Sequence, residues 1–389
     1  MLEYPFATEE QKELANMARS ILEKELAPRL HELEQANDGK GEFPLDVFKT
    51  MAEAGYTGML VPEKYGGLGF DNVTKCLIYE EMTKVDAGFT FNFNGAIANF
   101  KYIEMSHISE EEKQAWADRY IAGEARGACC ITEPDAGSDA AGMKTTAVKD
   151  GNEWVLNGRK CFVTNGPVAD HFVIFAWTDK SQSTGKGITA FFVEKERGVQ
   201  VGAVENKMGI KLSCTSDIIL DNVRVPEDHV IGEVGRGFKY AMQDLDMARI
   251  CGMVYCLGIS QTAIDEATKY AKVRKQFGKR IIDHEGLAFL LADMEIRTDA
   301  ARALLYQSAR CLDEGKPIGS LSSATKVFVS ESCVQTAIDG IQTLGGYGYM
   351  KDYPMEKLLR DAKIFTIFDG TNQIQRMIVG RYLDKKYDD

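Results

Sequence analysis

Histidine is scarce in this chain, five among 389 residues, and no Cys-x-x-Cys occurs. The nine cysteines adjoin only at Cys129-Cys130, so the ligand spacing of a metal site is missing and no metal is expected. An excess of positive charge is missing too. A net charge of −12 leaves no basic face for a nucleic acid. No uninterrupted apolar run reaches the ~18 residues of a membrane span. The opening Met1-Leu2-Glu3-Tyr4-Pro5 has neither the charged nor the apolar region of a secretory signal. Together these absences point to a cytoplasmic protein with reduced thiols.

What is present suits a large folded chain. A length of 389 residues, 44% of them hydrophobic, implies two or three domains with substantial cores. Residues 1–125 read as an N-terminal helical domain. Thr8-Glu9-Glu10-Gln11 is a capping box that opens a run with Leu14, Met17, Ala18, Ile21 and Leu22 at helical spacing. Over 126–235 the period changes. Trp154–Gly158, His171–Trp177, Ile188–Val193 and Asp217–Pro226 read as strands separated by Asp150-Gly151 and Asn157-Gly158 turns, predicting a middle antiparallel β-barrel or sandwich. From 236 to 389 the pattern is helical again over 236–270, 284–313, 318–344 and 370–386. Gly315-Lys316-Pro317 and Gly345-Gly346 break it, which predicts a C-terminal four-helix bundle.

Five segments carry chemistry. In Ile367-Phe368-Asp369-Gly370-Thr371-Asn372-Gln373-Ile374-Gln375 an acid stands among apolar neighbours. Desolvation raises such an acid's pKa and suits it to general base work, although a cap or ion pair would also explain it. Cys130-Ile131-Thr132-Glu133-Pro134-Asp135-Ala136-Gly137-Ser138-Asp139 offers neutral hydroxyl and backbone donors, or is a plain turn. Phe162-Val163-Thr164-Asn165-Gly166 could present a ring and a hydroxyl to a flat ligand, or be a strand with a buried Phe. Arg274-Lys275-Gln276-Phe277-Gly278 is a basic turn, solvated or ligand-binding. Gln342-Thr343-Leu344-Gly345-Gly346 allows close backbone approach, and equally reads as a helix C-cap.

Taken in order, these segments resemble the signatures of the FAD-dependent acyl-CoA dehydrogenase family over nearly the whole chain. The family's Glu-Gly-Thr-x-x-Ile-Gln stands here with Asp369 in the glutamate place. The resemblance implies that fold, FAD as cofactor, a CoA thioester as substrate, and electron-transferring flavoprotein as partner. It implies Asp369 as the catalytic α-proton base. Cys130, Ile131, Thr132, Gly137, Ser138, Phe162, Val163, Thr164, Thr371 and Gln373 would contact the flavin. Arg274, Gln276, Phe277, Gln342, Leu344, Gly345 and Gly346 would contact the flavin of a neighbouring subunit, so a homotetramer built as a dimer of dimers is expected. Asp246-Met247-Ala248-Arg249 matches the family's Asp-x-x-Arg. With Ser138 and Gly370, Asp246 and Arg249 would meet the acyl-CoA, Arg249 at its nucleotide end.

Aspartate is shorter than glutamate by one methylene, about 1.5 Å of reach. A bulky cyclic acyl group would fill the space left, so an alicyclic thioester such as cyclohexane-1-carboxyl-CoA is the expected substrate. Asp86, near Thr90, Asn92 and Asn94 on the acyl-side helix, is a second candidate acid. An ordinary short-chain acyl-CoA dehydrogenase, the same fold run as an enoyl-CoA reductase, a nitroalkane-oxidase-like flavoprotein and a non-enzymatic scaffold are the rival readings.

Overall fold

The computed structural model describes residues 7–182 and 185–387. Met1–Pro5 therefore lies outside the described residues. Seven helices come first: α1 (Glu9–Glu25), α2 (Leu30–Gly39, non-helical at Ala36–Asp38), α3 (Leu45–Glu53), α4 (Asn72–Thr83), α5 (Ala87–Ile97), α6 (Phe100–Met105) and α7 (Glu110–Ile121). The capping box forms as expected, Thr8 accepting from Gln11 N while the Gln11 side chain accepts from Thr8 N.

Eight strands follow: β1 (Gly127–Cys130), β2 (Thr146–Asp150), β3 (Glu153–Thr164), β4 (His171–Trp177), β5 (Ile188–Glu194), β6 (Gln200–Val204), β7 (Thr215–Pro226) and β8 (Val230–Ile231). They make one sheet in the order β6-β7-β3-β2-β4-β5-β8, with β1 on β4. The expected middle β domain forms, though not as a closed, wholly antiparallel barrel. The sheet is open, and the β1–β4 and β2–β4 pairs are parallel. Between β1 and β4 the chain runs through the Thr132 loop and the β2–β3 hairpin, long enough for a crossover connection. The middle strands are buried on both faces. Phe172, Ile174, Phe191 and Val193 enter one core, while Val173, Phe175, Ala190 and Phe192 enter another beneath α6 and α7. This is why β4 and β5 read as unbroken apolar runs.

The C-terminal helices are α8 (Gly237–Cys251), α9 (Val254–Val273), α10 (Glu285–Asp313), α11 (Gly319–Leu344), α12 (Met355–Lys363) and α13 (Asn372–Lys386). Helices α9, α10 and α11 pack on one another, and α13 lies on α11. The expected helix over 236–270 is broken at Gly252–Met253, and α12 was not foreseen. The stretch Gly237–Val273 is long and apolar enough to cross a membrane by composition, but 78% of its most apolar window is buried in protein. It is a core element, joined to α1, α4 and α5 in one apolar cluster.

Candidate active site

Asp369 sits on a turn between two helical pieces. Asp369 (φ 55) and Gly370 (φ 86) are both left-handed, and Thr371 then caps α13 by accepting from Ile374 N at 3.4 Å. A Cβ on Gly370 would stand 2.5 Å from Gln375 Nε2, so a side chain there would displace the Gln375 amide as well as strain a left-handed backbone. Left-handed geometry at a non-glycine residue is costly and concentrates at functional sites, and Asp tolerates it better than most. The Asp369 carboxyl faces the α8–α9 break, with Oδ2 3.7 Å from where a Cβ on Gly252 would be. Burial pushes its pKa up to about 6, against the pull of Lys326 and then Arg249, with Asp244 adding a smaller push. An acid so placed titrates near working pH, as a general base should.

Three side chains fix the turn. Arg249 donates from Nε to Asp369 O at 3.1 Å and from NH1 to Asp246 Oδ1 at 2.7 Å. Gln375 Nε2 donates to Asp369 O at 3.3 Å and Gly370 O at 3.1 Å, and its Oε1 accepts from Ser323 at 2.7 Å. Arg249 is 7% exposed. Its guanidinium is turned inward to the Asp369 turn, whereas the sequence had placed it at the nucleotide end of a CoA channel.

Aromatic rings cluster beside Asp369, beginning with its neighbour Phe368. Phe91 stacks on Phe368 at 5.0 Å, and Phe365 meets Phe368 edge-on at 5.1 Å. Tyr255 closes the group against Phe91 at 5.6 Å and Phe365 at 5.7 Å. Tyr79 donates to Asn94 Oδ1 at 2.8 Å. Thr90 is engaged internally, donating to Asp86 O at 2.8 Å, and Asn92 is buried with its backbone O accepting from Asn165. Asp86 caps α5 by accepting from Phe89 N at 2.6 Å and pairs with Lys357 at 2.7 Å. Held as cap and ion pair, it is not placed as a second base.

A shelf on the middle domain stands across from α5. Phe162 has φ 57 and is 66% exposed, at a register shift between Lys160 and Val163. A bulge thus lifts a large ring off the sheet and holds it out to solvent. Thr164 lies half-buried beside it, and α5 approaches closely. A Cβ on Gly95 would be 2.9 Å from Asn165 Nδ2 and 3.3 Å from Thr164 Cγ2. Thr132 is bound to the same strand, its carbonyl accepting from Cys161 N at 2.9 Å. The loop is anchored by buried Glu133, which accepts from Lys160 Nζ at 2.9 Å and from Thr145 N at 3.0 Å. Ile131 and Thr132 are partly open, Gly137 and Ser138 exposed. Cys130 and Val163 point into the sheet core, so only their backbones remain for a ligand.

The remaining expected residues form a separate groove of about 550 Å³. Arg274 and Gln276 line it with Gln342, Leu344, Gly345 and Gly346, between Tyr270 and Tyr347. Leu344 contributes mainly backbone, its side chain being buried. Phe277 (φ 52, 94% exposed) projects from the tip of the Lys275–Arg280 ribbon. Among the described residues, none of the middle domain lines this groove. Gln373 is exposed on the first turn of α13.

Models of the acyl-CoA dehydrogenase N-terminal, middle and C-terminal domains match residues 8–124, 128–223 and 235–383. The chain belongs to the acyl-CoA dehydrogenase family. It is 40% identical to the caffeyl-CoA reductase-Etf complex subunit CarC of Acetobacterium woodii, covering 98% of this chain and 100% of that one. It is 39% identical to a 3-(aryl)acrylate reductase of Clostridium sporogenes, with the same coverage. The solved butyryl-CoA dehydrogenase of Megasphaera elsdenii superposes with a TM-score of 0.91 at 37% identity, covering 97% of this chain and 98% of that one. This acyl-CoA dehydrogenase family member is therefore an FAD-dependent oxidoreductase. Its residues fit the cofactor: an exposed ring in a bulge suits a flat isoalloxazine, and an arginine beside glycine backbone suits a pyrophosphate. Lys326, Asn372 and Ser323 at the Asp369 turn were missed. Only the Gln-x-Gln spacing hinted at Gln375, since one of its partners, Ser323, lies on a distant helix.

Proposed function

We propose that this enzyme carries out αβ-dehydrogenation of an alicyclic acyl-CoA thioester of the cyclohexane-1-carboxyl-CoA kind, with Asp369 as the base. The observation that carries the reading is Asp369 itself, a raised-pKa carboxylate on a strained turn next to a cluster of aromatic rings. Asp369 takes the α-proton while its backbone N–H polarises the thioester carbonyl as negative charge develops there. FAD, when bound, supplies the two-electron acceptor for the β-hydrogen as hydride. Phe162, Thr132 and Thr164 would orient the ring system, and Ser138, Asp246 and Gly370 would border the thioester. Phe91, Phe365 and Phe368 exclude water and offer faces to a saturated ring, and the short Asp arm leaves room for its bulk.

Electrons would leave to electron-transferring flavoprotein, as the name of the Acetobacterium relative suggests. The groove around Arg274 and Gly345 would hold the pyrophosphate and adenine of a neighbouring subunit's FAD in a cytoplasmic homotetramer. A second apolar groove of about 820 Å³, with Phe328 and Leu383 exposed and Val379 half-buried on α11 and α13, offers surface for such assembly. Native mass spectrometry tests the stoichiometry.

The purified protein, mixed anaerobically with cyclohexane-1-carboxyl-CoA or butyryl-CoA, should lose its flavin colour faster with the cyclic thioester. The opposite order would leave an ordinary short-chain dehydrogenase. The reductase names of two relatives favour one further reading, reduction of an arylacrylyl thioester. Rapid recolouring of the reduced protein by that thioester, with no bleaching by either saturated one, would select it.

A further inference from the structure

A lysine lies wholly inside the C-terminal domain, next to the chemistry. Lys326 is 0% exposed in the middle of α11. Its Nζ donates to Asn372 Oδ1 at 2.7 Å, three residues beyond Asp369. Asn372 is held in turn, its Nδ2 donating to Ser330 Oγ and Glu331 Oε1, each at 3.1 Å. One turn earlier on α11, Ser323 donates to Gln375, which binds the carbonyls of Asp369 and Gly370. One face of α11 therefore holds the base turn at two points, and one of the two is a cation. Burying an ammonium is expensive unless it is paired, and the hydrogen bond to Asn372 is to a neutral amide.

We propose that Lys326 is a positioning residue for proton transfer: its buried ammonium, fixed by Asn372, keeps the Asp369 carboxylate ionised in an otherwise apolar site. The proposal rests on Asp369 being the base. The groups facing that carboxyl come from two elements. Lys326 on α11 bears on it most strongly, then Arg249 and Asp244 on α8. Arg249 is already paired with Asp246, and Asp244 with Lys101 and Tyr102. Tyr255 and Cys129 are nearby groups whose burial keeps them neutral. Burial also brings Lys326 down to about 8, so ammonium and carboxylate coexist charged between about pH 6 and 8. Removing the cation removes an attraction from the carboxylate alone, so its pKa must rise.

Lys326→Gln keeps a donor for Asn372 and loses the charge, Lys326→Met loses both, and Asn372→Ala keeps the charge. For each, flavin bleaching by the acyl-CoA is followed across pH. The protonation of Asp369 is titrated by difference infrared spectroscopy against Asp369→Asn. The expected result is an acid limb near pH 6 in the parent that rises by about one pH unit in both Lys326 variants, roughly a tenfold slower rate on the acid side. Rates above pH 8 should change little, and the infrared step should move with the limb. Asn372→Ala should move it less. An unmoved limb, or a limb that moves only in Lys326→Met, would overturn the proposal. So would loss of flavin binding in all three variants, which would assign Lys326 to packing. Turnover surviving in Asp369→Asn would instead sink the reading of the base itself.

Discussion

Arg249 reaches Asp369 through the backbone: Nε donates to the carbonyl oxygen of Asp369 at 3.1 Å while NH1 donates to Asp246 at 2.7 Å. A buried guanidinium therefore ties α8 to the turn that carries Asp369. Lysine has a single point of charge and cannot reproduce the fork. Arg249→Lys should slow substrate-driven flavin reduction by about 100-fold through misplacement of the carboxylate. The pKa of the acid limb should move little beside the fall in rate. Stopped-flow bleaching across pH separates the two.

Asp369→Asn should lower flavin reduction by about 10³-fold, within the range of a lost general base. Asp369→Glu should be active but with changed preference, since its carboxylate reaches about 1.5 Å further. The ratio of bleaching rates for butyryl-CoA over the cyclic thioester should increase. An unchanged ratio would detach substrate size from the length of the base.

The raised pKa of Asp369 also predicts a stability effect. Its folded-state pKa of about 6 lies above the ordinary aspartate value of 3.8. The folded protein therefore holds the proton more tightly, and stability falls as pH rises from 3.8 through 6. Well above pH 6 the ionised acid costs about 3 kcal/mol. Asp369→Asn, frozen in the neutral form, should have the higher Tm at pH 8. The gain should vanish as pH falls below about 4. Calorimetry at the two pH values checks it.

Phe162 combines a ring with backbone strain, and the two can be parted. Phe162→Trp should retain flavin through dialysis. Phe162→Ala should lose it, with affinity weaker by roughly tenfold for one stacked ring. Phe162→Gly loses the ring and relieves the left-handed strain, about 1 kcal/mol. Its flavin-free form should melt above that of Phe162→Ala.

The sequence showed the parts whose signals are local. Thr8 and Gln11 cap a helix three residues apart, and the apolar letters around Asp369 announce its environment. Parallel pairing of β1 with β4 was hidden, because residues Gly127 and His171 meet only after a long crossover. The break at Gly252 was hidden because apolar residues continue through it, with Ile250, Cys251 and Met253–Leu257 buried on either side. Helix α12 went unread although Met355, Leu358, Leu359 and Ala362 recur at helical spacing, because its nine residues are wedged between a glycine-rich turn and the Asp369 segment. The inward turn of Arg249 and the burial of Lys326 were likewise unreadable. Both stand at ordinary helical positions, and only the packing of α8, α11 and α13 decides where they point.

The shelf with Phe162 and the groove with Arg274 have a genetic corollary. The two surfaces use different residues of one chain. If each flavin spans the shelf of one copy and the groove of another, two defective chains complement each other. Co-expressed Phe162→Ala and Arg274→Ala subunits would form mixed pairs with one site damaged twice and one untouched. Such a mixture would regain activity that neither parent shows alone.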